Sequence, residues 1–168
     1  MPLTYEPITT TTTSVGARSF NFTSIPATYT DLVLVVNLTT ASGTNMRMRF
    51  NSNVATNYST THLDGTGTAA SSSRENTENG GLIDYAGGYP NGGANSISTY
   101  IMHINNYSNT TTYKTWVVRA SNAGTGANAT VGLWRQTSAI NAIEIYTSSG
   151  AGEIRTGTVF TLYGIKAA

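Results

Sequence analysis

The stretch Asp31-Leu-Val-Leu-Val-Val-Asn-Leu38 decides the fold class of this chain. Successive side chains of a strand point to opposite faces of a sheet, and in this stretch both faces are apolar. Such a pattern is typical of a central strand that is covered on two sides. We therefore expect residues 31–38 to lie inside a sheet.

Stretches with period-two alternation surround this central strand. Met46, Met48 and Phe50 alternate with Arg47 and Arg49, which predicts a half-buried strand with both guanidinium groups outward. Further strands are predicted at 19–22, 58–63, 97–104, 113–120, 130–135, 142–147 and 159–165, with at most one helical turn at 70–77 or 136–141. Clusters of Gly, Asn and Ser separate them, so the sequence predicts an all-β fold: an antiparallel β-sandwich resembling a jelly roll.

The core of this sandwich can be predicted from the same alternation. A chain of 168 residues forms one domain by default and buries about 70% of its unfolded surface. The residues expected to supply most of the core are Leu32, Leu34, Val36, Met46, Met48, Phe50, Ile101, Trp116, Val118, Ile143, Ile145, Phe160 and Leu162.

The chain divides into an extended N-terminal arm at 1–18 and a sandwich domain at 19–168. In the arm, Leu3, Tyr5 and Ile8 alternate with polar residues and precede a run of threonines. Such a short segment buries too little to be ordered alone. We expect it to dock on a neighbouring subunit or on a larger assembly, so that deletion of residues 1–15 leaves the domain folded.

A long Gly- and Ser-rich loop is predicted at about 64–95, where turn residues interrupt the alternation. Loops of this length in compact domains are functional or ordered by a partner. Tyr85 and Tyr89 lie among glycines in this loop and are candidate anchors for a partner, because tyrosine offers a large contact area at low entropic cost. Alternatively, the two rings fold back onto their own loop.

Groups that carry chemistry are scarce, because only 10% of the residues are charged, two are His and none is Cys. His62 and Asp64 lie near several serines, but spacing alone does not define a catalytic triad. His103 is expected in a core or an interface. Glu75, Glu78 and Asp84 are the clustered carboxylates, and they are expected to be solvated loop residues. The sequence predicts no enzymatic activity, no cofactor and no metal site, and the Asp64-Gly-Thr-Gly67 stretch lacks the further oxygen ligands of a calcium loop.

The charge balance argues against nucleic acid and membranes as partners. Nine basic and eight acidic residues are scattered along the chain and give a net charge of +1. No apolar run approaches the roughly 20 residues of a membrane-spanning helix. The first residues lack the features of a secretion signal. We therefore expect a protein made in a cytoplasm and not secreted.

Three segments resemble small virion proteins of tailed bacteriophages. Ser19-Phe-Asn-Phe-Thr-Ser-Ile-Pro-Ala-Thr-Tyr-Thr-Asp-Leu-Val-Leu34 is similar to their opening strand, Ile-Pro turn and long strand. Ile104-Asn-Asn-Tyr-Ser-Asn109, followed by Lys114-Thr115, is similar to their Asn-Tyr turn and next strand. Phe160-Thr-Leu-Tyr-Gly-Ile-Lys166 is similar to their closing strand. Together the segments span most of 19–168 in order.

The resemblance implies a structural protein of the virion, which decorates a capsid or forms a tail fibre or its tip. A single domain without heptads or repeats favours a capsid decoration (cement) protein that binds the major capsid protein. The main alternative is a tail fibre or receptor-binding protein that recognises host glycans, and a glycan hydrolase is a third class. The resemblance also favours a homotrimer, with an outward strand face near Trp134 in the interface.

Overall fold

The computed structural model describes residues 4–39, 45–84, 97–122, 124–148 and 153–166. In this part of the chain there is no helix, and twelve strands account for the regular structure. They are β1 (Tyr5–Thr12), β2 (Ser19–Phe22), β3 (Asp31–Leu38), β4 (Met46–Phe50), β5 (Tyr58–Gly65), β6 (Ala70–Glu78), β7 (Gly81–Asp84), β8 (Ser98–Asn105), β9 (Lys114–Asn122), β10 (Gly126–Trp134), β11 (Ile143–Thr147) and β12 (Val159–Ile165).

The strands form two antiparallel sheets that pack face to face. The larger sheet has eight strands in the order β1-β12-β3-β8-β9-β10-β5-β6, and the smaller has four in the order β2-β11-β4-β7. The predicted all-β class is therefore confirmed, and two stacked sheets agree with a sandwich. A jelly roll divides eight strands between two sheets, whereas here eight strands face four, so jelly-roll connectivity stays a prediction.

The core lies between the two sheets, where alternate residues of the facing strands point inward. All the predicted core residues are buried except Ile101. Tyr100 and Met102 take the inner face of β8, so Ile101 between them points away from the core and is only half-buried. The alternating pattern correctly predicted that β8 has one buried face, but the wrong set of alternate residues was assigned to that face.

Aromatic rings fill the centre of the core. Trp116 packs edge-on against Phe50, with their ring centroids 5.6 Å apart. Its indole needs two glycines, because a Cβ on Gly132 or on Gly81 would lie 2.0 Å or 2.3 Å from its Cζ2 atom. Gly132 belongs to the larger sheet and Gly81 to the smaller, so Trp116 determines how closely the sheets approach at this point.

Residues from segments 19–34, 104–109 and 160–166 meet at one corner of the sandwich. The Tyr107 hydroxyl, in the β8–β9 turn, donates to the carbonyl of Pro26, in the β2–β3 turn. Ser108 Oγ donates to the Tyr29 carbonyl at 3.2 Å. The Tyr29 ring in turn covers Gly164 of β12, where a Cβ would lie 2.3 Å from its Cγ atom. Residues of all three segments therefore build this corner of the fold.

The predicted N-terminal arm is a strand of the larger sheet. Tyr5–Thr12 is extended as expected, but it pairs with β12 of the same chain, from Tyr5 opposite Ile165 to Thr12 opposite Val159. A bulge between Pro7 and Thr9 accommodates the proline, which cannot donate to the ladder. The expectation that this segment docks on a neighbour is thus corrected, because its ladder partner belongs to its own domain.

The predicted loop at 64–95 contains two strands. Ala70–Glu78 continues the larger sheet as its edge strand, paired with β5, and Gly81–Asp84 is the edge of the smaller sheet. The helical turn allowed at 70–77 is therefore wrong. Arg47 is also buried, because Glu75 of β6 binds it, so the expectation that its guanidinium faces solvent is wrong. Residues 85–96 lie outside the described part of the chain.

Candidate functional site

Among the predicted partner-binding residues that the structure describes, Tyr5 and Ile8 lie on β1 at one edge of the larger sheet, whereas Trp134 lies on β10, five strands away. Leu3, Tyr85 and Tyr89 lie outside the described residues. Tyr5 is half exposed at the end of β1, with its ring edge-on to Tyr163 at 6.4 Å. Ile8, in the same strand, is partly buried and packs against the core. Tyr5 is therefore the one candidate that the structure shows at the surface.

The predicted interface on an outward strand face near Trp134 stays a prediction, but Trp134 itself does not lie at the surface. Its side chain is 1% exposed and points between the sheets. Its ring stacks on Tyr58 at 6.0 Å and lies 5.4 Å from Phe50. The neighbouring Leu133 points to the opposite side of β10 and lines the surface. Because successive side chains of a strand alternate between its two faces, an error of one residue exchanges a core position for a surface position.

His62 and Asp64 belong to a buried polar network on the inner side of the larger sheet. Nε2 of His62 lies 3.4 Å from Oδ2 of Asp64. The Asn128 amide donates to Oδ1 of Asp64 at 2.9 Å and accepts from the Thr130 hydroxyl at 3.0 Å. The buried Asp64 carboxylate, Asn128 amide and Thr130 hydroxyl are thereby hydrogen-bonded to one another, as buried polar groups generally are. The pair therefore has a structural role in joining β5 and β10.

The clustered carboxylates are also engaged within the fold, contrary to the expectation of a solvated loop. Glu75 binds Arg47, and Glu78 lies 3.6 Å from the same guanidinium. Asp84 is fully buried and accepts a hydrogen bond of 2.7 Å from the Tyr100 hydroxyl. Burial, with the nearby Asp84 charge, raises the pKa of Tyr100 well above its ordinary value. These contacts stabilise strand positions.

The described residues contain no cluster of three or more His, Cys, Asp or Glu that could hold a metal ion. The calcium-like stretch at 64–67 is the start of the β5–β6 hairpin turn. The Thr66 N–H donates to the Ala69 carbonyl at 3.0 Å, and the Ala69 N–H donates to the Thr66 hydroxyl at 3.1 Å. Gly67 adopts a φ of 83°, which glycine tolerates because it has no side chain. Within the same ranges, we find no helix with the length and apolar character to span a bilayer.

A different surface emerges on the side of the larger sheet that faces away from the smaller one, here called the outer face. Two transverse rows of residues in ladder register cross it. One row is Tyr163, Val33, His103, Val117, Val131, Thr61 and Arg74, and the next is Thr161, Val35, Ile101, Arg119, Ala129, Leu63 and Ser72.

The outer face carries exposed apolar side chains in its centre. Val117 and Val131 are directly paired and are 39% and 53% exposed, and Leu63 nearby is 59% exposed. Val33 on β3 is 3% exposed, although no strand of the described chain packs over this side. The expectation that both faces of β3 are buried therefore holds at Val33, whereas Val35 in the next row is half-buried.

Positive charge surrounds this apolar centre. Arg74 and Arg119 are exposed, Arg135 is half-buried, and none of the three forms an ion pair with a carboxylate in the described structure. The described outward positions of β8, β9, β10, β5 and β6 include no Asp or Glu. By contrast, Arg47 and Arg49 on the smaller sheet bind carboxylates.

A groove of about 300 Å³ lies on the same face. Arg74 and Arg135 line it together with Asn105, Thr115 and the apolar side chains of Val117, Val131 and Leu133. Arg135 is oriented there by donation to Ser59 Oγ. The groove therefore offers cationic and neutral hydrogen-bonding groups beside an apolar surface.

Sequence analysis did not identify the outer face, although a signal exists. The stretch Trp116-Val117-Val118 is apolar on both faces of its strand, as β3 is. The sequence does not show which of the two faces packs in the core and which one is exposed. Comparison with protein families, with curated proteins and with solved structures finds no match for this chain. The resemblance to phage virion proteins therefore stays a prediction.

Proposed function

We propose that this chain is a structural protein of a bacteriophage virion, and specifically a capsid decoration protein that binds the outer capsid lattice and stabilises it. The observation that carries the proposal is the outer face, where the larger sheet presents the exposed side chains of Val117, Val131 and Leu63. A surface of this kind suits attachment to another protein surface. The resemblance of the three corner segments supplies the virion context.

The internal pairing of the titratable groups supports binding instead of catalysis. Glu75 and Glu78 are engaged by Arg47, while Asp64 and Asp84 accept hydrogen bonds from Asn128 and Tyr100. A glycosidase needs two carboxyl groups that are free to flank a sugar. In the proposed function the protein is therefore not an enzyme.

The pairing of β1 with β12 changes the expected mode of attachment. Since Tyr5–Thr12 completes the larger sheet of its own domain, an arm exchanged with a neighbour is no longer the favoured contact. We assign attachment to the outer face. A decoration protein stabilises a capsid in proportion to its preference for the assembled lattice over free subunits.

The test is the copy number in purified virions, measured by quantitative mass spectrometry against the major capsid protein. A copy number on the scale of the capsid lattice is expected, together with cosedimentation of the purified protein with capsids that lack it. A copy number on the scale of a tail would contradict decoration. Light scattering of the isolated protein checks the associated prediction of a homotrimer.

A receptor-binding tail protein is the second candidate function. The observation that favours it is the outer-face groove, whose Asn105, Thr115 and Arg135 side chains could hydrogen-bond sugar hydroxyls. Binding of the purified protein to host surface polysaccharide, abolished by Asn105→Ala, would support this function. Binding to capsids without binding to polysaccharide would exclude it.

A further inference from the structure

We infer that the outer face is the docking surface for a protein partner that presents carboxylates around an apolar centre. The inference deepens the proposed function and rests on it only for the identity of the partner as the capsid lattice. Three observations carry it: the contiguous apolar centre, the arginines around it that form no ion pair among the described residues, and the lack of Asp and Glu at the described outward positions of β5, β6, β8, β9 and β10.

The apolar centre is contiguous because the ladder places its members side by side. Val117 of β9 is the direct partner of Val131 of β10, and Leu63 of β5 pairs with Ala129 in the adjacent row. Directly opposed side chains on one face of a sheet approach within about 5 Å. Exposed apolar side chains grouped in this way are typical of interaction sites, whereas scattered ones are ordinary.

The charge pattern identifies the chemistry of the partner. Arg74 and Arg119 occupy opposite sides of the apolar centre, in the rows that contain Val131 and Leu63 respectively. Arginine is enriched in interfaces because its planar guanidinium binds carboxylates with two hydrogen bonds. With no Asp or Glu at the described outward positions of β5, β6, β8, β9 and β10, the carboxylates that complement these arginines are expected from the partner.

The same pattern disfavours two other occupants. A second copy docked by the same face would place arginines opposite arginines, which costs free energy through like-charge repulsion. A glycan would use aromatic rings for stacking, but the described outward positions of the five strands around the apolar centre, β8, β9, β10, β5 and β6, include none. The outward rings of Tyr163 and Tyr5 lie three and four strands away from β9, on β12 and β1. An acidic protein surface satisfies both the apolar centre and its cationic border.

The experiment compares variants for occupancy on capsids that lack the protein, by cosedimentation at two salt concentrations. Val131→Glu places a carboxylate in the apolar centre, and its matched control is Val54→Glu, at a 64% exposed valine in the β4–β5 connection. The double variant R74Q/R119Q removes two charges. Melting curves establish that each variant is folded.

We expect V131E and R74Q/R119Q each to weaken capsid binding by about tenfold or more, while V54E binds as the wild type does. The double variant should also lose much of the salt dependence that the wild type shows, because screening acts on exposed charge pairs. Wild-type occupancy of both V131E and R74Q/R119Q would overturn the docking surface while leaving decoration intact.

Two other outcomes would also overturn the inference. Loss of a homo-oligomer in V131E, with retained capsid binding, would assign the outer face to a second copy. Binding of the wild type to host polysaccharide that V131E abolishes would assign it to a glycan. Failure of the wild-type protein itself to bind capsids would instead refute the proposed function. That result is distinguishable from a wrong docking surface, which only the variants test.

Discussion

The guanidinium of Arg47 binds the carboxylate of Glu75 through two hydrogen bonds of 2.9 Å each. Arg47 lies on β4 of the smaller sheet and Glu75 on β6 of the larger, so this contact connects the two sheets. The Arg47 guanidinium also donates to the carbonyl of Gly80 at 3.0 Å. An edge strand with almost no buried side chains is thereby held against the sandwich.

Glu75→Gln is expected to reduce the free energy of unfolding by about 1–2 kcal/mol, because it leaves a buried guanidinium without its charged partner. The measurement is the midpoint of urea unfolding at neutral pH. Glu78→Gln is the matched control, since its carboxylate lies 3.6 Å from Arg47 and is more exposed; a change below about 0.5 kcal/mol is expected there. Equal effects of the two variants would show that the geometry of the Glu75 contact is unimportant.

Gly132→Ala is expected to destabilise the fold through overpacking. The added methyl group would lie 2.0 Å from Cζ2 of Trp116, so the indole must move against Gly81 on its other side. We expect a loss of about 1–3 kcal/mol, with a changed near-ultraviolet circular dichroism spectrum from the displaced ring. Gly65→Ala is the control, because the nearest atom to a Cβ there is 4.0 Å away. A neutral G132A would contradict the tight packing.

Strands with a strong apolar alternation were predicted well, whereas edge strands were missed. Asp31–Leu38 and Val159–Ile165 begin and end where expected, since their burial determines both composition and bounds. Ala70–Glu78 is rich in Ser, Asn and Glu because both of its faces are largely exposed. Its pairing with β5 comes from backbone hydrogen bonds, which leave no pattern in the side chains.

The sequence also could not show which of the two alternating sets of residues in a strand points into the core. Both Trp134 and Leu133 fit a strand, and only the register with β5 and β9 determines that Trp134 points inward. The outer face was missed for the same reason. Val117 and Val131 satisfy a strand pattern equally well under a covering layer or against solvent.

Stability is expected to fall above pH 10 because of buried tyrosines. Burial raises the pKa of Tyr58, and burial together with Asp84 raises that of Tyr100. As the pH rises above about 10, these phenols ionise in the unfolded chain but stay protonated in the folded one. The folded state then holds more protons, so each group lowers the free energy of unfolding by about 1.4 kcal/mol per pH unit.

Urea unfolding midpoints between pH 8 and about 11.5 measure this slope. Tyr58→Phe should lower stability at neutral pH, because the Phe50 amide loses its acceptor at 3.0 Å, and should flatten the alkaline decline. Tyr113→Phe, at a surface tyrosine, is the control and is expected to keep the wild-type slope. An unchanged slope in Y58F would contradict the assignment.

Lys114 changes stability with pH in the opposite direction from the tyrosines. Burial lowers the pKa of Lys114, so its contribution to the free energy of unfolding rises with pH up to about 10.5.

The pairing of β1 with β12 predicts that the N-terminal segment contributes to the stability of the isolated domain. Deletion of residues 1–12 removes the ladder from Tyr5 to Thr12 and the packing of Ile8 against the core. We expect the melting temperature to fall by about 5 °C or more. The uncovered edge of β12 should also promote self-association, which light scattering detects. A synthetic peptide of residues 4–13, added in excess, should restore part of the loss by pairing with β12 again. An unchanged melting temperature would contradict this prediction. It would show that residues 5–12 are not paired with β12 in solution and form an independent arm.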